Sequence, residues 1–144
     1  MGGVRGKMAT IFAILVLGLL AYIRLAPFHT PQWHVDPFTA TAPKDGGVLE
    51  VFSSNLSPQD TFEALKTVAL STDRTRVLAQ SPDASHISFI TRSFVFGFPD
   101  VTTVSVRAGE AGTEVAILAR LRFGKSDMGV NAKRVAAWRD AAGL

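Results

Sequence analysis

The chain contains no cysteine. Disulfides, thiolate metal sites and cysteine nucleophiles are thereby excluded, although this says little about compartment, since many exported proteins also lack disulfides. Histidine is scarce, with 3 residues in 144. His29 and His34 fall with Asp36 in a proline-rich stretch whose extended spacing does not define a metal site, and no metal or cofactor is assigned. His86 stands alone in the remainder of the chain. A Ser-His-Asp arrangement would have to use it with Ser93 or Ser126, and neither serine has a nucleophile-elbow context, so no catalytic residue is assigned. There is no internal repeat and no low-complexity segment. There is also no basic helix interleaved with aromatics, which argues against a nucleic-acid partner.

Charge of both signs is nearly balanced once its position is considered. The formal net charge is +3, but from Lys44 onward 12 Lys and Arg face 11 Asp and Glu. The excess comes mainly from Arg5, Lys7 and Arg24, which flank the one long apolar run, residues 8–23. Such flanking is the signature of membrane topology rather than of a polyanion-binding surface. Sixteen helical residues rise about 24 Å, and including residues 24–26 closes the gap to a hydrocarbon core of ~30 Å if Arg24 snorkels. Proline after Ala26 is a poor residue for signal cleavage, which favours an uncleaved anchor over a signal peptide.

The expected organisation is a basic cytoplasmic N-terminus over 1–7, a transmembrane signal anchor over 8–26, a Pro-rich linker over 27–47 and an α+β domain over 48–144. About 100 residues suffice for one core. Residues 48–52 read as a short strand or an extended lead-in. Ser57-Pro58-Gln59-Asp60 reads as a helix start, with Ser as N-cap and Pro in the first helical position. Phe62, Leu65, Val68 and Ala69 then share a face. The period next switches to two, giving strand candidates at 75–80, 85–96, 101–107 and 113–123. In the second of these, Ile87, Phe89 and Thr91 oppose Ser88, Ile90 and Arg92; both faces carry apolar residues, so each is partly covered or a bulge near Arg92 switches register. Val135, Trp138 and Ala142 mark a last helix, with Trp138 as core anchor and Gly143 as its stop. Helix, four strands and helix predict a two-layer α+β sandwich, a four-stranded antiparallel meander with two helices on one face.

The candidate functional residues cluster at two places. One is Arg92 with the turn ending at Asp100. The other is the corner that carries Arg122, Gly124, Ser126, Asp127, Gly129, Asn131 and Arg134 between the last strand and the last helix. Thr91-Arg92-Ser93 followed by Phe98-Pro99-Asp100, together with Arg122-x-Gly124-x-Ser126-Asp127-x-Gly129-x-Asn131-x-x-Arg134, resembles the two signatures of the domain of unknown function 1499 family of bacteria and plant plastids. The resemblance covers roughly 46–142, and it implies no activity. Where the family often has Arg-Ser-x-Ser-Arg before the glycine, residues 118–122 keep only Arg122.

Two readings of the corner follow. In the structural one, Asp127 caps the last helix and pairs with Arg122 or Arg92. In the binding one, backbone N–H groups ringed by Arg92, Arg122 and Arg134 hold an anion, with Asp127 counting against it. A groove between sheet and helices for a lipid is a further option. The whole is read as a bacterial inner-membrane protein of single-pass topology with its domain extracytoplasmic. The expected role is a non-enzymatic binding or interaction module whose partner is an envelope protein or a small anionic or lipidic ligand.

Overall fold

The computed structural model describes residues 3–144; the first two residues of the expected basic N-terminus lie outside the described residues. Helix α1 spans Gly3–Leu25, so Arg5 and Lys7 sit on its first turns rather than in a separate segment. At ~1.5 Å per residue its 23 residues reach roughly 35 Å. It is the one helix among the described residues long and apolar enough to cross a membrane. All its described side chains are accessible except Leu20, half-buried, and Ile23, buried at the domain end. A short α2 (Thr30–Trp33) follows. The domain then runs β1 (Gly47–Ser54), α3 (Pro58–Ser71), β2 (Thr75–Gln80), β3 (His86–Arg92), β4 (Pro99–Gly109), β5 (Gly112–Leu121) and α4 (Val130–Ala142).

The sheet has five strands, not four, in the order β1-β5-β4-β3-β2, with every neighbouring pair antiparallel. The meander from β2 to β5 is as expected. The fifth strand is the lead-in at 48–52: Val48, Glu50 and Phe52 lie opposite Ala119, Ile117 and Val115, placing them on the core face. Its partner lies more than sixty positions away, so local pattern alone leaves its status open. The irregularity of register falls in β2, between Val77 and Ala79, not at Arg92. Strand β3 stops at Arg92 because the backbone closes a turn, the Ser93 N–H bonding the Phe98 carbonyl and the Gly97 N–H the Ser93 carbonyl. Gly97 has φ +73, and a Cβ there would meet the Arg24 side chain at 3.1 Å. The left-handed backbone favours glycine there, and any larger residue would also push on the Arg24 side chain.

Helices α3 and α4 cover one face. Ser57 Oγ accepts the Asp60 N–H, as the N-cap reading requires, and directs Phe62, Leu65 and Ala69 inward. They meet Ile87, Phe89, Val104, Val115, Ile117, Val135 and Trp138 in one cluster. Trp138 is 2% exposed, packs edge-on to Phe89 and donates its indole N–H to Thr72 Oγ1 at 2.9 Å.

The opposite face is closed as well. Ser88, Ile90, Val101, Thr103 and Leu118 are buried there although no domain helix packs on it. Their cover is the stretch 27–46, a Pro-rich linker laid down on the domain as a strap. Arg120 donates to the Trp33 carbonyl, Arg107 lies over the Phe38 ring at 3.8 Å, and Leu121 donates its N–H to the Gly46 carbonyl. At its centre His34 Nδ1 meets Ser88 Oγ at 2.8 Å, and Ser88 Oγ meets Thr103 Oγ1 at 2.7 Å. His34 stacks on His86 with ring centroids 4.4 Å apart, and its Nε2 is buried without a partner. Burial first, and His86 second, hold His34 below the ordinary imidazole value of 6.5.

Because the unfolded chain takes up that proton before the folded one, stability is full above about pH 6.5 and falls as pH drops from there toward the lowered folded value. Thermal melts at stepped pH in detergent should show this slope, and His34→Gln should flatten it. An unchanged slope in the variant would remove His34 as its source.

Candidate functional site

The end of α1 meets the sheet at a corner built by arginines. Helix C-terminal carbonyls have no intrahelical partner and carry the negative end of the helix dipole. Arg92, at the end of β3, donates through Nη2 to the Arg24 carbonyl at 2.9 Å and through Nη1 to the carbonyls of Gly97 (2.9 Å) and Ile23 (3.4 Å). Arg122, just past β5, donates to the carbonyls of Ala26 (2.9 Å) and Pro27 (2.8 Å) and lies over the Phe28 ring. Tyr22 packs edge-on to Phe123, and Arg24 reaches the Val95 carbonyl. Arg92 and Arg122 thus bind backbone, not Asp127. The expected pairing of Asp127 with either arginine is not formed, because the unsatisfied carbonyls of α1 and the strap take their donors.

Asp127 does cap α4. Its Oδ1 accepts the Gly129 N–H at 3.1 Å and its Oδ2 the Asn131 N–H at 2.9 Å. Burial raises its pKa, but these N–H donors outweigh burial and leave the carboxyl below the usual range. Ser126 Oγ accepts the Met128 N–H. Gly124 (φ +101) and Gly129 (φ +78) supply the left-handed backbone that the tight corner needs. With both N–H groups taken by a carboxylate of this chain, the corner offers no open cradle for an anion.

Asp100, Asn131 and Arg134 form a second polar group beside it. Arg134 donates to Asp100 Oδ2 at 3.2 Å and to Asn131 Oδ1 at 2.7 Å. Asn131 is fully buried; its Nδ2 makes no hydrogen bond, and its side chain acts to lower the pKa of both Asp100 and Asp127. Burial pushes the Asp100 carboxyl up, ahead of the opposing pull of Arg134. These carboxyls floor a groove of about 540 Å³ walled by Phe94, Phe96, Phe98, Phe123 and Met128. Phe94 and Met128 are among the most exposed apolar residues of the domain, at 79% and 86%.

The structure therefore brings Asp100, Asp127, Asn131 and Arg134 together and sends Arg92 and Arg122 to the end of α1. Ser93 and Ser126 accept backbone N–H groups, whereas His86 lies against Ser85 and His34, apart from both serines. Among the described residues no three His, Asp or Glu side chains are grouped to hold a metal ion. Arg74 and Arg76, not singled out in the sequence, line with Arg24 and Arg92 a recess of about 380 Å³ that adjoins the groove. Nothing in the strand-like alternation of 75–80 marks convergence with Arg24, about fifty positions earlier.

A five-stranded antiparallel sheet, two helices on one face and an arginine-held strap on the other define an α+β domain carried on an apolar N-terminal helix. The chain belongs to the family described as protein of unknown function (DUF1499), whose profile matches residues 26–141. The match begins where α1 ends and so takes in the strap, beyond the 46–142 marked by the two signatures. The chain is also similar to the crystal structure of protein MLL2253 from Mesorhizobium loti, with 14% identity and a TM-score of 0.49, over 67% of this chain and 94% of that one. Protein CV1439 from Chromobacterium violaceum matches with 12% identity and a TM-score of 0.45, over 68% and 93%. DR_A0006 from Deinococcus radiodurans matches with 12% identity and a TM-score of 0.40, over 69% and 100%. No curated protein matches the chain.

Asp127→Ala should lower unfolding free energy by about 1–2 kcal/mol, the ordinary value of a lost helix N-terminal acceptor, while Asp127→Asn should recover most of it. Chemical denaturation measures both. An Asp127→Ala protein as stable as wild type would contradict the capping role.

Proposed function

We propose that the protein is a single-pass membrane protein, held by α1 in a bacterial inner membrane, with its α+β domain seated at the extracytoplasmic surface as a non-enzymatic binding or interaction module. One observation carries the reading: Arg92 and Arg122 donate four hydrogen bonds to the carbonyls of Ile23, Arg24, Ala26 and Pro27. Signal cleavage after Ala26 would remove three of these acceptors, the carbonyls of Ile23, Arg24 and Ala26, from two half-buried guanidiniums, so the contacts favour a retained anchor over a removed signal. The basic residues Arg5 and Lys7 favour a cytoplasmic N-terminus, and Arg24 fits the opposite headgroup layer.

A domain tied to its helix within one residue of the apolar segment has little freedom to leave the bilayer surface. Its exposed Phe94, Val95 and Phe96, beside the end of α1, then meet the interface rather than bulk water. This arrangement suits a module that presents a fixed surface to an envelope partner or to the membrane itself.

The chain expressed in a bacterial host should stay in the membrane fraction through alkaline carbonate extraction, with an intact mass that includes α1. Alkaline phosphatase fused after Leu144 should be active. A mass beginning beyond residue 26 would sink the anchor, and an inactive phosphatase alongside an active cytoplasmic reporter would sink the orientation.

A further inference from the structure

The recess lined by Arg24, Arg74, Arg76 and Arg92 contains no carboxylate among its lining residues. Among the described residues the four arginines form one ion pair, Arg74 with Asp73 at 3.8 Å, and Asp73 is 87% exposed, so the pair has little strength. Four guanidiniums carry about twenty N–H donors. The protein occupies few of them: Arg74 Nε bonds the Arg92 carbonyl, Arg24 and Arg76 each make one long contact of 3.4 Å, and Arg92 alone is well satisfied. Like charges converging without a counter-charge repel, and the pKa of Arg92 is lowered by burial and then by Arg76, Arg24 and Arg122. At about 380 Å³ the space exceeds the ~30 Å³ share of a single water many times over.

Where the recess lies narrows what fills it. Arg24 belongs to the last turn of α1 and also lines the recess. Phe94 and Ser93 line both this recess and the apolar groove of about 540 Å³ beside it. A cationic pocket opening next to an apolar one, at the mouth of a membrane-length helix, matches a ligand with a phosphate at one end and hydrocarbon at the other.

We propose that the Arg24–Arg74–Arg76–Arg92 recess binds a phosphate group, that of an anionic phospholipid in the membrane spanned by α1, with Phe94 lying between headgroup and acyl region. Arg74 and Arg76, exposed on the sheet edge, close on the phosphate; Arg92 keeps its structural bonds and contributes charge. Guanidiniums suit this task through their planar, paired N–H donors. The proposal rests on the anchored reading above and names the ligand class for it.

Native mass spectrometry of the full chain in detergent tests it, with phosphatidylglycerol, phosphatidylcholine and inorganic phosphate as probes. Wild type should retain phosphatidylglycerol at least tenfold more tightly than phosphatidylcholine. The double variant Arg74→Gln/Arg76→Gln should lose that preference with an unchanged circular dichroism spectrum, and Lys66→Gln, on α3, should keep it. Equal retention of both lipids, or a preference unaltered in the double variant, overturns the site. Inorganic phosphate bound more tightly than phosphatidylglycerol overturns the lipid as its source. Carbonate extraction reports separately on anchoring, so release from the membrane would count against the anchor and not be mistaken for failure of the phosphate contacts.

Discussion

The structure depends on how the carbonyl groups at the end of α1 are satisfied. A helix leaving an apolar run exposes its last carbonyls with no backbone partner, and here Pro27 cannot donate an N–H to continue the ladder. Water would be the default solution. Instead, guanidiniums at the ends of two strands reach across to carbonyls of Ile23 and Arg24 from one side and of Ala26 and Pro27 from the other. Hydrogen bonds to a charged donor contribute roughly 1.5–3 kcal/mol each, and the dipole of α1 favours positive charge at this end. The chain is thereby turned sharply from helix into strap, and the strap is laid over the outer face of the sheet.

That geometry explains why the domain has three layers. The buried outer face, with Ser88, Thr103, Ile90 and Leu118, would be a poor solvent-facing surface. The strap covers it with rings that stack on arginines (Phe28 on Arg122, Phe38 on Arg107, Trp33 near Arg120) and with His34 set over Ser88. Arg120 is half-buried, and burial lowers its pKa, yet it finds the Trp33 carbonyl. Arginine rather than lysine suits each of these places, since a planar guanidinium can donate along its edge and stack through its face.

Much of the local structure was legible in the residues. The Ser57-Pro58 start of α3, the alternation of β3 and the Val135/Trp138 face of α4 follow from caps and periodicity, because neighbours in sequence decide them. The apolar helix and the family signatures were equally plain. Three features were not. Strand β1 depends on β5 for its identity, and a partner so distant leaves no local mark. The strap carries 4 prolines in residues 27–47 and reads as a linker whose Phe28, Trp33 and Phe38 either anchor at the bilayer or pack onto the domain; proline density reports an extended chain but does not choose what it lies on. In sequence, Arg92 and Arg122 have either Asp127 or a bound anion as partner, whereas the Asp127 carboxylate is occupied by N–H groups at the start of α4. Opposite charge is visible in sequence; an unsatisfied backbone carbonyl nearly a hundred positions away is not. The convergence of Arg24 with Arg74 and Arg76 escaped for the same reason.

Guanidinium-to-carbonyl bonds make α1 and the domain one body. A chain without cysteine allows two to be introduced freely for spin labels, one at Leu17 in α1 and one at Ala111 in the β4–β5 turn. Pulsed electron paramagnetic resonance in lipid nanodiscs then reads the distance between them. A single narrow distribution, broadened by Arg92→Gln/Arg122→Gln while the domain remains folded, is the result predicted. A broad distribution in the otherwise native chain would show helix and domain moving independently and would contradict the account.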